Sequence, residues 1–282
     1  MKEEYHPIGV FDSGYGGLTV LRELIGYLPR KDFIYLGDNA RTPYGTRSFD
    51  VVYLYTLQAV RKLFSMGCHL VILACNTASA KALRNIQQKD LPVIAPSKRV
   101  LGVIRPSVEF AADITRNGHV GVLATSGTVA SASYPIELEK WSGGKVKVTT
   151  QQACPMWVPI VENNEIGTPG ADYFIQADMR RLFEKDPQID SLVLGCTHYP
   201  LLIDSIRKYL PDPGIRIIEQ GRIVAEKLID YLARHPEING KCSERGIVRY
   251  YTTEQVGLFE SNAGRFMGMP VEAEKITLSS EC

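Results

Sequence analysis

Short apolar runs along the chain alternate with longer stretches in which apolar residues recur at helical spacing. The short runs predict strands at residues 8–11, 33–36, 70–74, 93–95, 120–124, 146–150, 192–194, 215–218 and 247–251. The amphipathic stretches predict helices at residues 18–28, 51–66, 100–115, 171–183, 203–210 and 223–234. A helix at 254–267 and a final strand complete the pattern. This alternation predicts the α/β class, with mostly parallel sheets flanked by helices.

The two halves of the chain share a faint repeat. Residues 8–14 and 120–127 each consist of an apolar strand with glycine in second place, followed by a hydroxyl residue and a glycine. In each half a later strand ends directly before a cysteine, Cys75 in the first and Cys196 in the second. The repeat favours two related α/β domains.

The composition is that of an ordinary globular protein. Of the 282 residues, 45% are hydrophobic and 22% are charged, so a core for two domains can be buried without disulfides or metal ions. The net charge of +1 gives no reason to expect nucleic acid or an anionic membrane as a partner. The first apolar run is too short for a signal peptide, and no stretch approaches the roughly 20 apolar residues of a membrane span. We therefore expect a cytoplasmic protein.

The cysteines do not form a recognisable framework. There are six, with wide and irregular spacing and no C-x-x-C pair, which argues against disulfides and against a structural zinc site. The sequence suggests chemistry for only two of them. No function is assigned to the other four, which are Cys68, Cys154, Cys242 and Cys282.

Four segments at predicted strand ends are rich in small and polar residues, and they lie at residues 12–17, 75–79, 125–128 and 196–200. In open α/β sheets, ligands bind beyond the carboxyl ends of the strands, near helix N-termini. Glycines allow close approach of the backbone, and hydroxyl and amide groups add hydrogen-bond donors. These segments therefore suit a ligand that carries carboxylates or phosphates.

The two matched cysteines have a structural and a chemical interpretation. Either one alone is better explained as a small core residue after a buried strand. Two thiols facing one cleft, however, can deprotonate a carbon acid from one face and reprotonate it from the other. His198 is either a turn histidine or a group that polarises Cys196. Asp12 either caps the following helix or acts beside Cys75.

Two other kinds of site are disfavoured. Cys196 and His198 lack a second pair of candidate metal ligands. The glycine-rich turn at 12–17 follows a strand and precedes Asp38, as in a dinucleotide-binding fingerprint. However, Thr19 occupies the place of the third glycine, and the turn already carries two polar side chains. Neither a metal nor a dinucleotide is expected.

Six segments in chain order resemble the glutamate racemase family, at residues 9–18, 35–38 with 43–45, 74–78, 125–128, 153–155 with Pro159 and Glu162, and 195–200. They span nearly the whole chain, and their order makes the resemblance specific. It implies two pseudo-symmetric α/β domains with the active site between them. One domain would comprise residues 1–97 and 212–282, and the other residues 98–211.

The resemblance also implies the chemistry and the site. Cys75 would be the base for D-glutamate, assisted by Asp12, and Cys196 the base for L-glutamate, assisted by His198. Further residues would hold the substrate or lie beside it, and these are Ser13, Pro43, Tyr44, Gly45, Asn76, Thr77, Thr125, Thr128, Glu162 and Thr197. Neither pyridoxal phosphate nor a metal is expected. The product would be D-glutamate for bacterial peptidoglycan, and a homodimer is an expectation without a defined geometry.

Two alternatives remain at this point. An aspartate or hydantoin racemase of the same superfamily would keep both cysteines and differ in the pocket, but residues 43–45 and 197–200 favour glutamate. A sensor protein would bind a ligand in a two-domain cleft without chemistry. The presence of both cysteines argues against a sensor, because binding requires neither thiol.

Overall fold

The computed structural model describes residues 5–278, so Cys282 lies outside the described residues. Within this range the strands are β1 Ile8–Asp12, β2 Phe33–Gly37, β3 Leu70–Leu73, β4 Arg99–Gly102, β5 His119–Ala124, β6 Val148–Ala153, β7 Ser191–Gly195, β8 Arg216–Ile218, β9 Val248–Thr252 and β10 Ala273–Lys275. The helices are α1 Gly17–Tyr27, α2 Phe49–Ser65, α3 Asn76–Lys81, α4 Leu83–Asn85, α5 Leu91–Ile94, α6 Ile104–Ile114, α7 Ser126–Ala130, α8 Ser133–Trp141, α9 Trp157–Glu162, α10 Pro169–Lys185, α11 Ile203–Lys208, α12 Gln220–Arg234, α13 Pro236–Asn239 and α14 Val256–Met267. Single turns of 3₁₀-helix lie at Asn39–Arg41, Tyr44–Thr46 and Tyr199–Leu202.

The strands form two sheets in which every described pair is parallel. The first sheet has the order β10-β9-β2-β1-β3-β4, and the second has the order β6-β5-β7-β8. The predicted α/β class with two mostly parallel sheets is confirmed. Strands β1, β3 and β7 are buried along their whole length, because helices cover both faces of each sheet.

The register of the strands brings the predicted site segments together. In the first sheet Phe11 pairs with Leu73, so the segments after β1 and β3 leave the same edge side by side. In the second sheet Ala124 pairs with Gly195, which does the same for the segments after β5 and β7. Each sheet therefore presents one cysteine and one neighbouring turn at the carboxyl edge of its strands.

The sequence prediction was wrong around residues 93–103. The predicted strand at 93–95 is the end of α5, where Val93 is 81% exposed and has no sheet to pack against. The strand lies instead at β4, which was predicted as the start of a helix over 100–115, and that helix begins only at Ile104. Both errors have one cause, because a short apolar run does not distinguish a strand from a buried helical turn. The strand predicted at 146–150 is also displaced, to Val148–Ala153.

Sheet membership bears on the predicted domain boundaries. Strand β4 pairs with β3 of the first sheet, and β8 pairs with β7 of the second. The chain therefore changes sheet after Gly102 and after Ile218, a few residues later than the predicted boundaries at 97/98 and 211/212. A division that follows the sheets moves both boundaries toward the C terminus.

No helix within residues 5–278 combines the length and apolarity needed to cross a membrane.

Candidate active site

Cys75 follows β3 and occupies the N-cap position of α3. Its sulfur accepts a hydrogen bond from the backbone N–H of Ala78 at 3.4 Å and lies 3.4 Å from Ser13 Oγ. The residue is only 6% exposed. Burial, together with the negative charge of Asp12, raises the pKa of the Cys75 thiol to about 12. At neutral pH the protein therefore holds Cys75 as a thiol.

Cys196 follows β7 and is paired with a histidine. Its sulfur lies 3.8 Å from Nδ1 of His198, and Nε2 of the same ring lies 2.9 Å from Oε1 of Glu162. Burial lowers the pKa of His198, but the hydrogen bonds to Cys196 and Glu162 outweigh it and raise that pKa to about 10. The imidazole is therefore protonated at neutral pH, next to the sulfur. The interpretation of His198 as a plain turn histidine does not fit this geometry.

Asp12 lies between the two cysteine segments. Its side chain is 1% exposed, and Oδ2 accepts a hydrogen bond from the backbone N–H of Gly14 at 2.9 Å. Thr197 Oγ1 donates to Oδ1 at 3.5 Å. Burial raises the pKa of the Asp12 carboxyl, and the nearby His198 charge opposes that rise. Gly16 occupies the N-cap position of α1 and has no side chain to cap it, and the Asp12 carboxylate instead accepts a hydrogen bond from the backbone N–H of Gly17, so the capping interpretation of Asp12 also stands.

Three threonine hydroxyls from the two halves meet beside α3. Thr77 Oγ1 lies 3.0 Å from Thr125 Oγ1 and 3.2 Å from Thr128 Oγ1, and the last two are 3.1 Å apart. Thr125 also caps α7 by accepting the backbone N–H of Thr128. Hydroxyls that can each donate or accept are suited to a carboxylate or an ammonium group.

The buried carboxylate of Asp38 holds the segment Pro43–Gly45 in place. Tyr44 is 1% exposed and donates its hydroxyl to Asp38, which also accepts from Arg41 Nε at 2.7 Å. A side-chain carbon at Gly45 would lie 2.9 Å from Cβ of Thr125, so glycine lets this turn reach the second half. The Tyr44 hydroxyl is therefore already bonded to Asp38.

Glycine also permits the contact between the first turn and the Cys196 segment. A side-chain carbon at Gly16 would lie 2.2 Å from Thr197 Oγ1 and 2.4 Å from His198 Nδ1. Thr19 Oγ1, one turn further along α1, lies 3.1 Å from the Thr197 carbonyl oxygen. The first half of the chain therefore sets the position of His198 through direct backbone contact.

Metal chemistry was disfavoured from the sequence. Among residues 5–278, no group of three or more His, Cys, Asp and Glu side chains is arranged to hold a metal ion. A cavity of about 710 Å³ lies apart from the cysteines, between α3, α6, α8 and α12, and none of the predicted site residues line it.

Comparison with known proteins identifies the family. The sequence model of the family described as Asp/Glu/Hydantoin racemase matches residues 16–228. Glutamate racemase from Persephonella marina is 38% identical over 276 residues, which cover 98% of each chain. The chain belongs to this family. It is an amino-acid racemase, and the resemblance to glutamate racemases that the motifs carry is confirmed.

Solved structures agree with this assignment. A glutamate racemase isoform from Bacillus anthracis matches this racemase with a TM-score of 0.87 at 33% identity, covering 98% of this chain and 99% of that one. Glutamate racemase from Francisella tularensis in complex with D-glutamate matches with a TM-score of 0.86 at 30% identity, covering 98% of each chain. An aspartate racemase from Picrophilus torridus reaches a TM-score of 0.53 at 16% identity, which is a likeness of fold alone.

Two buried groups of this racemase escaped the sequence analysis. Asp38 was considered only as a ribose-binding acid, whereas its carboxylate holds Tyr44 and Arg41. Gln220, the first residue of α12, hydrogen-bonds to Asn76 from far along the chain. A signal existed for Asp38, because an acid directly after a strand invites a structural role. No local pattern could have linked Gln220 to Asn76.

Proposed function

We propose that this racemase interconverts L-glutamate and D-glutamate by moving the α-proton between the substrate and two thiols, Cys75 and Cys196. The observation that carries the proposal is that two buried cysteines, each directly after a strand of a different sheet, are linked by short contacts: Ser13 lies 3.4 Å from the Cys75 sulfur, and Asp12, the residue before it, accepts a hydrogen bond from Thr197, the residue after Cys196. Each has its own assisting group, Asp12 for Cys75 and His198 for Cys196. Cys75 serves D-glutamate in this proposal, and Cys196 serves L-glutamate.

The chemistry balances with two thiols and no external acid or base. One sulfur, as thiolate, takes the proton from the α-carbon, and the other, as thiol, donates a proton to the opposite face of the carbanion-like centre. The enzyme then holds the protons in the reverse arrangement. A protonated His198 lies 3.8 Å from the Cys196 sulfur, so the assisting group is in contact with the thiol that the proposal makes the base for L-glutamate.

The polar groups around the cleft suit an amino acid with two carboxylates. Ser13, the threonine cluster and Thr197 offer hydroxyls, and the segment Pro43–Gly45 offers backbone groups at the same place. The relative from Francisella tularensis, with which this chain shares 30% of its residues, is a complex with D-glutamate. We therefore propose glutamate rather than aspartate or a hydantoin as the substrate.

The direct test is to incubate the purified protein with L-glutamate in D₂O, with a metal chelator and no added cofactor. The proposal predicts that optical rotation decays to zero while deuterium appears at the α-carbon. Binding of glutamate without either change would support the sensor alternative instead. Equal rates with L-aspartate would contradict the choice of substrate.

The cellular role follows from the product. We propose that the protein acts in the cytoplasm, as a homodimer, and supplies D-glutamate for peptidoglycan. Loss of the gene should then make growth depend on added D-glutamate, with lysis when it is withdrawn. Normal growth of the deletion strain, in the absence of a second racemase, would contradict this role.

A further inference from the structure

A closed set of buried hydrogen bonds lies directly behind the Cys75 segment. Asn76 Nδ2 donates to Gln220 Oε1, and the Tyr134 hydroxyl donates to Asn76 Oδ1 at 2.7 Å. Gln220 Nε2 lies 2.9 Å from the Tyr134 oxygen and 2.8 Å from Ser107 Oγ, to which its two N–H groups are directed. Ser107 Oγ in turn donates a hydrogen bond to the carbonyl oxygen of Val103 at 2.8 Å. All four side chains are at least 97% buried.

This network joins parts of the molecule that are far apart in sequence. Asn76 begins α3 immediately after Cys75, whereas Tyr134 belongs to α8 and Ser107 to α6. Gln220 begins α12, just after the chain leaves β8 in the second sheet. The network therefore connects Asn76, the first residue of α3, to the three helices α6, α8 and α12.

Asn76 was expected to contact substrate, yet its side-chain oxygen and amide are occupied by this network. A buried amide that is satisfied on both atoms has one favoured orientation, because any rotation leaves donors and acceptors unpaired. Asn76 is the first residue of α3, so the network anchors the turn whose Ala78 N–H donates to the Cys75 sulfur. The network uses Asn76 Oδ1 and one N–H of Nδ2, and it thereby fixes the plane of the amide.

We propose that Gln220 is a positioning residue for proton transfer at Cys75, acting through Asn76. This inference rests on the proposed two-thiol mechanism. Among residues 5–278, the side chain of Gln220 hydrogen-bonds to neither cysteine, and its hydrogen bonds lead toward the Cys75 segment through Asn76 and Tyr134. Its loss should therefore disturb the step at Cys75 more than the step at Cys196. Tyr134 also packs against Gly195, but the Cys196 sulfur keeps its contact with His198, which Glu162 holds.

The test uses Gln220→Met, which keeps the length of the side chain and removes both hydrogen-bonding groups. We expect kcat to fall by about tenfold to a hundredfold while KM stays within about twofold, because a catalytic group is misplaced and not removed. The primary isotope effect should rise with D-[2-²H]glutamate, from which Cys75 takes the deuteron, and not with L-[2-²H]glutamate. Amide hydrogen exchange of residues 75–81 should become faster.

Ser107→Ala is the matched control. It leaves one N–H of Gln220 without its partner but keeps the ring of Asn76, Tyr134 and Gln220, so kcat and both isotope effects should stay within about twofold of the unaltered protein. Tyr134→Phe removes the donor to Asn76 Oδ1 and should reproduce the Gln220→Met pattern in weaker form. If Gln220→Met fails to fold, as judged by circular dichroism, Tyr134→Phe replaces it as the test variant.

The inference is overturned if Gln220→Met keeps full kcat, if Ser107→Ala is equally impaired, or if both isotope effects rise together. Amide exchange does not depend on turnover. Unchanged exchange in α3 with an active enzyme therefore refutes the role of Gln220, whereas altered exchange in a protein that never racemises glutamate points to a failure of the proposed function.

Discussion

The surroundings of Cys75 and Cys196 differ although both cysteines follow a buried strand of a parallel sheet. Cys75 is contacted by a hydroxyl and a backbone N–H, with the Asp12 carboxylate nearby. Cys196 is contacted by an imidazole that a second carboxylate, Glu162, holds from behind. Pseudo-symmetry therefore extends to the strands and the thiols, but not to the groups that govern their protons.

The different surroundings of the two cysteines prepare the resting enzyme for one direction of the proposed reaction. Burial and Asp12 raise the pKa of Cys75 to about 12, so this thiol carries its proton at neutral pH. The pKa of His198 is raised to about 10, so a positive charge lies beside Cys196. In the proposed mechanism this is the arrangement needed to accept a proton from L-glutamate and to donate one on the opposite face. Catalysis from D-glutamate requires the reverse arrangement.

The two regions also depend on each other for position. Thr197 and His198 rest against Gly16 and Thr19 of the first half, whereas Asn76 and Thr77 rest against Tyr134 and Thr128 of the second half. Each cysteine segment is thus contacted by both halves of the molecule. Relative motion of the two halves must alter both thiols at once.

The largest expected effect comes from removing either thiol. Cys75→Ala and Cys196→Ala should each lower kcat for racemisation by at least about 10²–10⁴-fold, because one acid–base partner is lost. The measurement is optical rotation with each enantiomer, with circular dichroism to check folding. Cys68→Ala is the control, since Cys68 is equally buried but packs behind β1, against Gly9. Full activity in either test variant would remove that cysteine from the mechanism.

A smaller but still large effect is expected at the contact between the halves. Gly16→Ala introduces a carbon that would lie 2.2 Å from Thr197 Oγ1, so His198 must shift, and kcat should fall by about a hundredfold. Gly26→Ala, in the same helix, adds a carbon with nothing within 4 Å and should raise the free energy of unfolding by about 0.5–1 kcal/mol. Steady-state kinetics and thermal melting distinguish the two. If Gly16→Ala were as active as Gly26→Ala, the close contact between Gly16 and the Cys196 segment would not be needed for activity.

The pairing of His198 with Glu162 predicts a change in pH dependence confined to the Cys196 side. In the folded enzyme His198 stays protonated up to a pKa of about 10. Glu162→Gln removes the neighbouring negative charge and lowers that pKa, so the loss of activity on the alkaline side should begin at a lower pH. The pH–kcat profile measures this shift.

A second histidine–carboxylate pair provides the control for that shift. His119 Nδ1 lies 2.9 Å from Asp186 Oδ2, where β5 begins, at the opposite end of the second sheet from the cysteines. Asp186→Asn should leave the pH–kcat profile unchanged. An alkaline limb that moves equally in both variants would assign it to overall stability and not to His198.

The smallest expected effect concerns the single hydroxyl next to Cys75. Ser13→Ala removes a hydrogen bond of 3.4 Å and should lower kcat by roughly two- to tenfold, the range of a typical hydrogen bond. The isotope effect with D-[2-²H]glutamate should rise more than that with L-[2-²H]glutamate. Thr56→Val, which removes a buried hydroxyl within α2, should change stability and neither isotope effect. An unchanged kcat in Ser13→Ala would limit Ser13 to substrate contact or to packing.

Much of the fold and of the site was predictable because local patterns carry it. The apolar strands before Cys75 and Cys196 gave the sheets, and the repeated pattern placed both thiols at strand ends. Residues 91–102 were not predictable, because an apolar run of four residues fits an exposed helical turn as well as a strand. The resemblance placed Glu162 beside the substrate, but its pairing with His198 was not predicted, because 36 residues separate the two in the chain.

The role of Asn76 shows the other limit of sequence patterns. Its place after Cys75 suggested a group that contacts the ligand, and the structure adds a hydrogen bond from its amide to Gln220, 144 residues away, which the sequence did not indicate. Which way a polar side chain turns depends on partners that only the fold brings near. A motif therefore locates a residue at a site without stating which of its atoms the site uses.

The burial of both sulfurs has a chemical consequence for the protein's lifetime. Cys75 is 6% exposed and Cys196 is 7% exposed, and the first is held as a thiol by its raised pKa. Peroxides and alkylating agents attack accessible thiolates, so Cys75 in the closed molecule resists both. Loss of activity to such reagents should therefore follow exposure of the sulfurs, so a reagent together with a mild denaturant should inactivate the protein much faster than the reagent alone.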